Sequence, residues 1–129
     1  MRPDGGGLVP EKILVVEDDI VNRTLLRDVL KYYGYEVLEA GDGREGVNLA
    51  KEHMPAIILM DVQMPVMDGI EAMKILKSGP ETKNLKIISI TAFSPNGETK
   101  GLPDAGFDDY ISKPIDIRQL PALIKKHLG

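Results

Sequence analysis

The stretch Ala56-Ile57-Ile58-Leu59-Met60-Asp61 decides how this chain folds. Its apolar residues follow one another without polar alternation, which is typical of a strand that is buried on both faces of a parallel sheet. The strand ends on a carboxylate, and the next segment, up to Gly69, carries a proline and an Asp-Gly turn signal. An aspartate at the carboxyl end of a central parallel strand lies where open α/β sheets bind ligands. Asp61 could equally cap a following helix, so its role depends on the rest of the chain.

Short apolar runs alternate with helical periods along the chain. The predicted strands are 12–16, 36–40, 56–61, 86–90 and 109–111; helices are predicted over 43–53 and 70–77, with an earlier one that Gly34 ends and a last one that Asp116 caps. The second strand has a polar side and is therefore expected at a sheet edge. Alternating strands and helices form right-handed βαβ units. The sequence thus predicts an α/β fold with a doubly wound, five-stranded parallel sheet and helices on both faces.

The apolar positions of the first and last predicted helices indicate which side chains face the core. The first is expected to bury Val21, Leu25, Val29 and Tyr32 or Tyr33, with Leu26 and Leu30 beside them. The last is expected to hold Ile117, Leu120, Ile124 and Leu128.

The composition indicates one globular domain. Of the 129 residues, 43% are hydrophobic and 28% are charged, and the formal net charge is -4. This acidic balance argues against nucleic acid as a direct partner, and no apolar run approaches the roughly 20 residues that span a bilayer. The absence of cysteine excludes disulfides and thiolate chemistry, and there is no signal-peptide pattern. We expect a cytoplasmic domain over 11–129, preceded by a flexible tail at 1–10.

Polar residues collect where the predicted strands end. They are Glu17, Asp18 and Asp19 after the first strand, Asp61 at the end of the third, Thr91 after the fourth and Lys113 after the fifth. Crowded carboxylates repel one another unless a cation or a proton lies among them. Oxygen-only ligands favour Mg²⁺ or Mn²⁺, and a hydroxyl and an ammonium facing the same point suggest an anionic group between them. The combination fits the placement of a phosphoryl group on a carboxylate.

Each of these residues also has an ordinary structural interpretation. Glu17 could belong to a solvated turn in which Asp19 caps the next helix. Thr91 could simply end a strand, and Lys113 could be an exposed lysine. Their coincidence at strand ends favours a functional site.

The chain closely resembles the receiver domain of two-component response regulators, of the single-domain chemotaxis or cell-cycle type, over roughly residues 11 to 128. The matching segments are Ile13-Leu-Val-Val-Glu-Asp18, Ile58-Leu-Met-Asp-Val-Gln-Met-Pro-Val-Met-Asp-Gly69, Ile90-Thr-Ala92 and Ala105-Gly-Phe-Asp-Asp-Tyr-Ile-Ser-Lys-Pro114. Together, in order and at family-like separations, these segments are very specific. The resemblance implies a flavodoxin-like strand order, 2-1-3-4-5.

The resemblance also implies a role for each matching position. Asp61 is the implied phosphoacceptor and Mg²⁺ the implied cofactor. Asp18 is implied as a direct metal ligand, Glu17 as a ligand acting through water, and Gln63 as a ligand through its backbone carbonyl. The remaining implied roles are the phosphoryl-pairing Lys113 with a cis peptide to Pro114, the switch hydroxyl of Thr91, the small Ala92 beside the phosphoryl group, and the aromatic switch Tyr110.

The implied function is a phosphorylation-controlled signalling module that catalyses only its own phosphorylation and dephosphorylation. It would take a phosphoryl group from a sensor histidine kinase or a histidine phosphotransfer protein. It would then bind a downstream protein through the face of the fourth helix, fifth strand and fifth helix. Neither nucleic acid nor a membrane is an expected direct partner. Both a free-standing receiver and a receiver from a hybrid kinase or a longer regulator fit the sequence.

Two other functions compete with this one. The first is an aspartate-nucleophile phosphatase, but such enzymes usually need a second acid two residues beyond the nucleophile, and that position is Gln63. The second is a degenerate receiver that serves only as a scaffold, which the intact set of acidic, hydroxyl and ammonium groups disfavours.

One segment departs from the family pattern. Between Ala92 and Ala105 the family has a well-formed fourth helix, but this segment holds two glycines, two prolines and almost no apolar face. Glycine costs about 1 kcal/mol and proline about 3 kcal/mol in a helix interior. We predict a short, frayed or absent helix over 93–106, which either orders upon activation or partner binding or is simply a surface loop.

Overall fold

The computed structural model describes residues 10–91 and 106–128 and has one parallel sheet. Its strands are β1 (Lys12–Val16), β2 (Glu36–Ala40), β3 (Ile57–Asp61), β4 (Lys86–Thr91) and β5 (Asp109–Ser112), in the order β2-β1-β3-β4-β5. The helices in the described ranges are α1 (Ile20–Tyr32), α2 (Gly43–His53), α3 (Gly69–Ser78) and α4 (Leu120–Leu128). The predicted fold class and strand order are confirmed, and β2 lies at an edge.

Two sequence expectations fall outside the described residues. The tail predicted at 1–10 lies there apart from Pro10. The weak helix is expected over 93–106, and all of these residues except Gly106 lie in the range 92–105, which the structure does not describe. Whether this helix forms remains a prediction. The final helix is therefore numbered α4.

The core has two layers because side chains of a strand alternate between the faces of the sheet. One face packs against α2 and α3, and the other against α1 and α4. The first layer includes Leu14, Val16, Ile58, Met60, Val47, Ala72, Met73 and Leu76; the second includes Ile13, Val15, Ile57, Leu59, Leu26, Leu30, Leu120 and Ile124. Each fully buried Leu or Ile contributes about 1.5–3 kcal/mol of transfer free energy. This burial on both faces anchors the central strands β1 and β3.

The apolar face predicted for α1 is partly wrong. Val21 is exposed and Leu25 is at the surface, whereas Leu26 and Leu30 are fully buried. Val29 packs against the core as predicted, and of the two alternatives it is Tyr33 that does so while Tyr32 is exposed. The sequence holds two overlapping stripes at helical spacing, and periodicity alone does not choose between them. Packing against the sheet selects the stripe that contains Leu26 and Leu30.

The start predicted for the last helix is also wrong. The helix begins at Leu120, and Ile117 is exposed. Pro121 has no N–H to donate to the carbonyl of residue 117, so a regular helix cannot run from Ile117 through it. Asp116 instead accepts hydrogen bonds from the Arg118 backbone N–H and guanidinium, each at 3.0 Å, which hold a turn.

Gly69 connects the start of α3 to the end of β3. Its N–H donates to the Val62 carbonyl at 2.9 Å, and Asp68 caps the helix by accepting from Glu71 N at 2.8 Å. A Cβ at position 69 would overlap the main-chain carbonyl of Asp61. Glycine is therefore required for α3 to begin this close to the strand end.

We predict that Gly69→Ala lowers the free energy of unfolding by about 2 kcal/mol or more, because backbone must move to admit the methyl group. The matched control is Gly41→Ala, whose Cβ would approach only the ends of flexible side chains, the guanidinium of Arg23 at 3.4 Å and the carboxylate of Glu45 at 3.9 Å. We expect this control to change stability by less than about 1 kcal/mol. Urea unfolding of both variants measures the difference, and equal effects would contradict the close approach at Gly69.

Candidate functional site

Three carboxylates converge at the carboxyl ends of β1 and β3. Glu17 and Asp18 directly follow β1, and Asp61 is the last residue of β3. One carboxylate oxygen from each lies within 4.8 Å of the others. Glu17 and Asp61 are buried, with 0% and 3% of each residue exposed, while Asp18 faces solvent. We call residues 17–19 the acidic loop.

Lys113 places a positive charge against this cluster. Its Nζ donates to Asp61 Oδ2 at 3.0 Å and lies 3.4 Å from Glu17 Oε1. Burial alone would lower the pKa of Lys113, but the hydrogen bond and charge of Asp61, with a smaller contribution from Glu17, raise that pKa above its usual value. The ammonium therefore stays charged and offsets part of the carboxylate repulsion.

The main chain positions Lys113. Its N–H donates to the Thr91 carbonyl at 2.8 Å, which ties the residue after β5 to the end of β4. The peptide bond between Lys113 and Pro114 is cis, as expected.

Asp61 is held through both oxygens. Oδ1 accepts from the Gln63 backbone N–H at 3.0 Å, and Oδ2 accepts from Lys113. The Gln63 side chain is exposed, and an amide cannot transfer protons as a general acid. The carboxylate is thus fixed in place, and the residue two positions beyond it offers no acid chemistry.

Glu17 is the member of the cluster whose carboxylate is least well compensated. Its Oε2 accepts from the Asp19 backbone N–H at 3.1 Å, but its buried Oε1 has no hydrogen-bond partner, since the Lys113 ammonium 3.4 Å away lacks hydrogen-bond geometry. Burial first, and then the neighbouring Asp61 carboxyl group, raise the pKa of Glu17 to about 8, against the opposing effects of the Asp19 N–H and Lys113. A buried carboxylate oxygen that accepts no hydrogen bond favours the uptake of a proton or of a further cation beside Lys113.

The donor set fits a hard divalent cation. Three carboxylates without histidine or cysteine are the ligand chemistry of Mg²⁺, and one of them, Glu17, has a buried oxygen that accepts no hydrogen bond. In the described part of the chain, no second group of three potential ligands lies this close together.

The other predicted residues lie around the cluster. Thr91 is the last residue of β4, is buried and pairs in register with Ser112. Tyr110 lies in β5 with 49% exposure. Ala92 lies outside the described residues, so its predicted place beside a phosphoryl group is untested.

Sequence reasoning missed two residues near the site. Arg23 of α1 donates from Nη1 to the Glu17 carbonyl at 2.9 Å; an arginine in the first turn of a helix was a signal that could have found it.

Val66, in the loop after β3, has a φ of 69°, and Met67 N donates across it to Pro65 O at 2.8 Å. A β-branched residue with positive φ is strained, and no sequence signal points to it.

Comparison with known proteins is decisive for the family. The sequence-family model of the response regulator receiver domain matches residues 13–125 of this chain. This chain belongs to the response regulator receiver family. No helix in the described ranges is long and apolar enough to cross a membrane.

Relatives and solved structures agree with this assignment. The polar-differentiation response regulator DivK of Brucella anthropi is 38% identical over 121 residues, which cover 94% of this receiver domain and 98% of that protein. The receiver domain of the sensor histidine kinase PA1611 from Pseudomonas aeruginosa has a TM-score of 0.86 and 31% identity, covering 94% and 99% of the two chains; that structure has a magnesium ion coordinated in its active site cleft. The chemotaxis protein CheY4 of Vibrio cholerae has a TM-score of 0.81 and 31% identity, covering 92% and 98%.

The raised pKa of Glu17 predicts how stability depends on pH in the absence of metal. Between the unfolded pKa near 4.5 and the folded pKa of about 8, the folded state binds a proton that the unfolded state has released. The free energy of unfolding should therefore fall as pH rises through this window.

Glu17→Gln, which mimics the protonated group, should flatten this dependence and raise stability at pH 8 by more than about 1 kcal/mol, the equivalent of one pKa unit. Urea unfolding in EDTA at pH 5 to 8.5 measures both proteins. Glu45→Gln, an exposed glutamate on α2, is the control and should keep the wild-type slope. A wild-type stability that rises between pH 5 and 8 would contradict the assignment.

Proposed function

We propose that this receiver domain is a signalling module that accepts a phosphoryl group on Asp61 from a phosphohistidine. The observation that supports the proposal most directly is the buried Asp61 carboxylate, fixed by Lys113 and by the Gln63 N–H beside two further acids. Family membership supplies the signalling context: receiver domains interact with sensor histidine kinases and downstream effectors.

In the proposed reaction an Asp61 oxygen attacks phosphorus and the P–N bond of the phosphohistidine breaks. The electron pair of that bond stays on the imidazole nitrogen, and the ring, protonated on its other nitrogen, leaves as neutral imidazole. The product is an acyl phosphate on Asp61. The hydrogen bonds to Asp61 orient its carboxylate, and the Lys113 ammonium compensates charge on the phosphoryl oxygens. Water later cleaves the acyl phosphate, which is the only turnover that we propose.

Mg²⁺ is the proposed cofactor. Asp18 and Asp61 would bind it directly, Glu17 through water, and Gln63 through its carbonyl, while water and phosphoryl oxygens fill the remaining positions. When bound, the ion would neutralise charge that develops on the phosphoryl oxygens. The carboxylate cluster and the unpartnered Glu17 oxygen support this ligand set.

The proposed switch uses Thr91 and Tyr110. The Thr91 hydroxyl would donate to a phosphoryl oxygen, with Ala92 leaving space beside it, and the Tyr110 ring would turn inward. Thr91 is connected to Lys113 through its carbonyl, and Tyr110 lies in the strand that pairs with β4. Movement at the site would thus reach β5.

The proposed partners meet the domain at two places. A sensor histidine kinase or histidine phosphotransfer protein must bring its histidine to the rim, where Ile20, Val21 and Val66 are exposed apolar residues. A downstream protein would bind the face that includes β5 and α4. Direct binding to nucleic acid or a membrane is not proposed, and cytoplasmic location stays a prediction from the sequence.

We predict that Asp61→Asn abolishes phosphorylation, because an amide cannot form an acyl phosphate. Intact-mass measurement in Mg²⁺ with acetyl phosphate should show one added phosphoryl group on the wild type and none on the variant. The control is Asp68→Asn: asparagine caps a helix as well as aspartate, so this variant should fold and be labelled. A phosphate on Asp61→Asn, mapped to another carboxylate, would overturn the proposal.

We also predict that Asp18→Ala abolishes Mg²⁺-dependent phosphorylation, because it removes a direct carboxylate ligand of the ion, and leaves the fold intact. Asp28→Ala, which removes an exposed acid from α1, is the matched control and should retain the wild-type rate. Phosphorylation rates across a Mg²⁺ titration, with circular dichroism to check folding, make the comparison. An Asp18→Ala protein that reacts at the normal rate would show that Asp18 is not a metal ligand.

A further inference from the structure

Arg23 occupies a position that is unfavourable for its own helix. It lies in the first turn of α1, where its N–H donates to the carbonyl of the N-cap Asp19 at 2.9 Å, and this turn has no acidic residue. A cation near a helix N-terminus is unfavourable because it opposes the helix dipole. The placement of Arg23 must therefore be favoured by contacts outside α1.

Those contacts connect the acidic loop to the sheet edge. Nη1 donates to the main-chain carbonyl of Glu17 at 2.9 Å, and Nε donates to Glu39 Oε1 at 3.3 Å. Glu39 belongs to β2, in register with Val15 of β1. Arg23 thus bridges β2 to the first residue of the loop that carries two of the three clustered acids.

The bridge completes a set of contacts that hold the Glu17 main chain. The Glu17 N–H donates to the Ala40 carbonyl at 3.0 Å, at the end of β2, and its carbonyl accepts from Arg23 on the other side. The loop needs this support because repulsion among the carboxylates pushes its side chains away from Asp61.

We propose that Arg23, anchored by Glu39, is a positioning residue that holds the acidic loop so that its carboxylates converge with Asp61 on a divalent cation. This inference rests on the Mg²⁺ site of the proposed function. Arg23 contacts a carbonyl of the loop, so the carboxylate oxygens stay available to the cation.

Positioning and simple electrostatics predict opposite results for the loss of Arg23. Removal of a positive charge near the cluster makes the local potential more negative, and through the Coulomb effect alone it would tighten Mg²⁺ binding. Loss of the bridge lets the loop relax away from Asp61 and weakens binding. The sign of the change therefore separates the two explanations.

The experiment is calorimetric titration of the unphosphorylated protein with MgCl₂. Arg23→Gln should weaken Mg²⁺ binding by about tenfold, the lower end of the effect of residues that orient metal ligands. The double variant Arg23→Gln/Glu39→Gln leaves net charge unchanged and should weaken binding to a similar extent. Arg23→Lys keeps the charge and should retain more affinity than Arg23→Gln.

The matched control is Arg27→Gln. Arg27 also contacts Glu39, at 3.7 Å from Nη1 to Oε2, and pairs with Asp28, but in the described part of the chain it has no hydrogen bond to the acidic loop. Its loss should leave Mg²⁺ affinity unchanged or slightly tighter.

A kinetic readout distinguishes positioning from general damage. With acetyl phosphate as the donor, Arg23→Gln should raise the Mg²⁺ concentration for half-maximal phosphorylation by about tenfold, while the rate at saturating Mg²⁺ stays near that of the wild type. Lowered thermal stability with unchanged Mg²⁺ affinity would show a merely structural role and overturn the proposal.

The remaining outcomes are also decisive. Equal or tighter Mg²⁺ binding in Arg23→Gln, or equal weakening in Arg27→Gln, overturns the positioning role. If Arg23→Gln fails to fold, Arg23→Lys and Glu39→Gln decide, and wild-type affinity in both contradicts the proposal. A wild-type protein that binds no Mg²⁺ would instead overturn the metal site of the proposed function.

Discussion

The crowding of Glu17, Asp18 and Asp61 is the constraint on which the rest of the structure depends. Two unit charges of the same sign 4 Å apart repel by about 4 kcal/mol at the effective dielectric constant of a protein surface, and two of these groups are buried. No arrangement that serves stability alone would place them together. The Lys113 ammonium offsets part of the repulsion, while burial and then the Asp61 carboxyl group raise the pKa of Glu17. The cluster therefore favours whatever positive charge can enter it.

The parallel sheet makes this arrangement possible. Strands β1 and β3 are neighbours and are buried on both faces, so the residues that follow them are held by the best-packed part of the molecule. Helix α3 begins immediately behind Asp61, at a glycine that allows close approach of the two backbones. Hydrophobic burial beneath the cluster thus supplies the free energy that opposes the repulsion at the rim.

The sequence predicted the fold and the identity of the site better than it predicted local geometry. Uninterrupted apolar runs identify buried strands, and the carboxyl ends of parallel strands must share one edge, so Asp61 and Glu17 could be brought together without coordinates. The exposed side of α1 could not be predicted, because Val21 and Leu26 lie on stripes of similar hydrophobicity. The start of α4 was missed because apolar periodicity registers neither the N–H that Pro121 lacks, although Pro121 stands in the sequence, nor the hydrogen bonds that Asp116 accepts from Arg118. Arg23 was missed because its contact is with a main-chain carbonyl; the only signal in the sequence was the indirect one of an arginine in the first turn of a helix.

The same contacts that compensate charge also connect the site to the far edge of the sheet. Lys113 binds Asp61 through its side chain and Thr91 through its main chain, and it directly follows β5. A phosphoryl group on Asp61 would carry more negative charge and extend further from the strand than the carboxylate does. Lys113 could follow that charge only by shifting its ammonium away from Glu17, and its short connection to β5 would transmit the adjustment to the strand that holds Tyr110. In the proposed function, signalling therefore needs no separate relay, since the lysine that makes the acidic cluster tolerable is already joined to the strand at the output face.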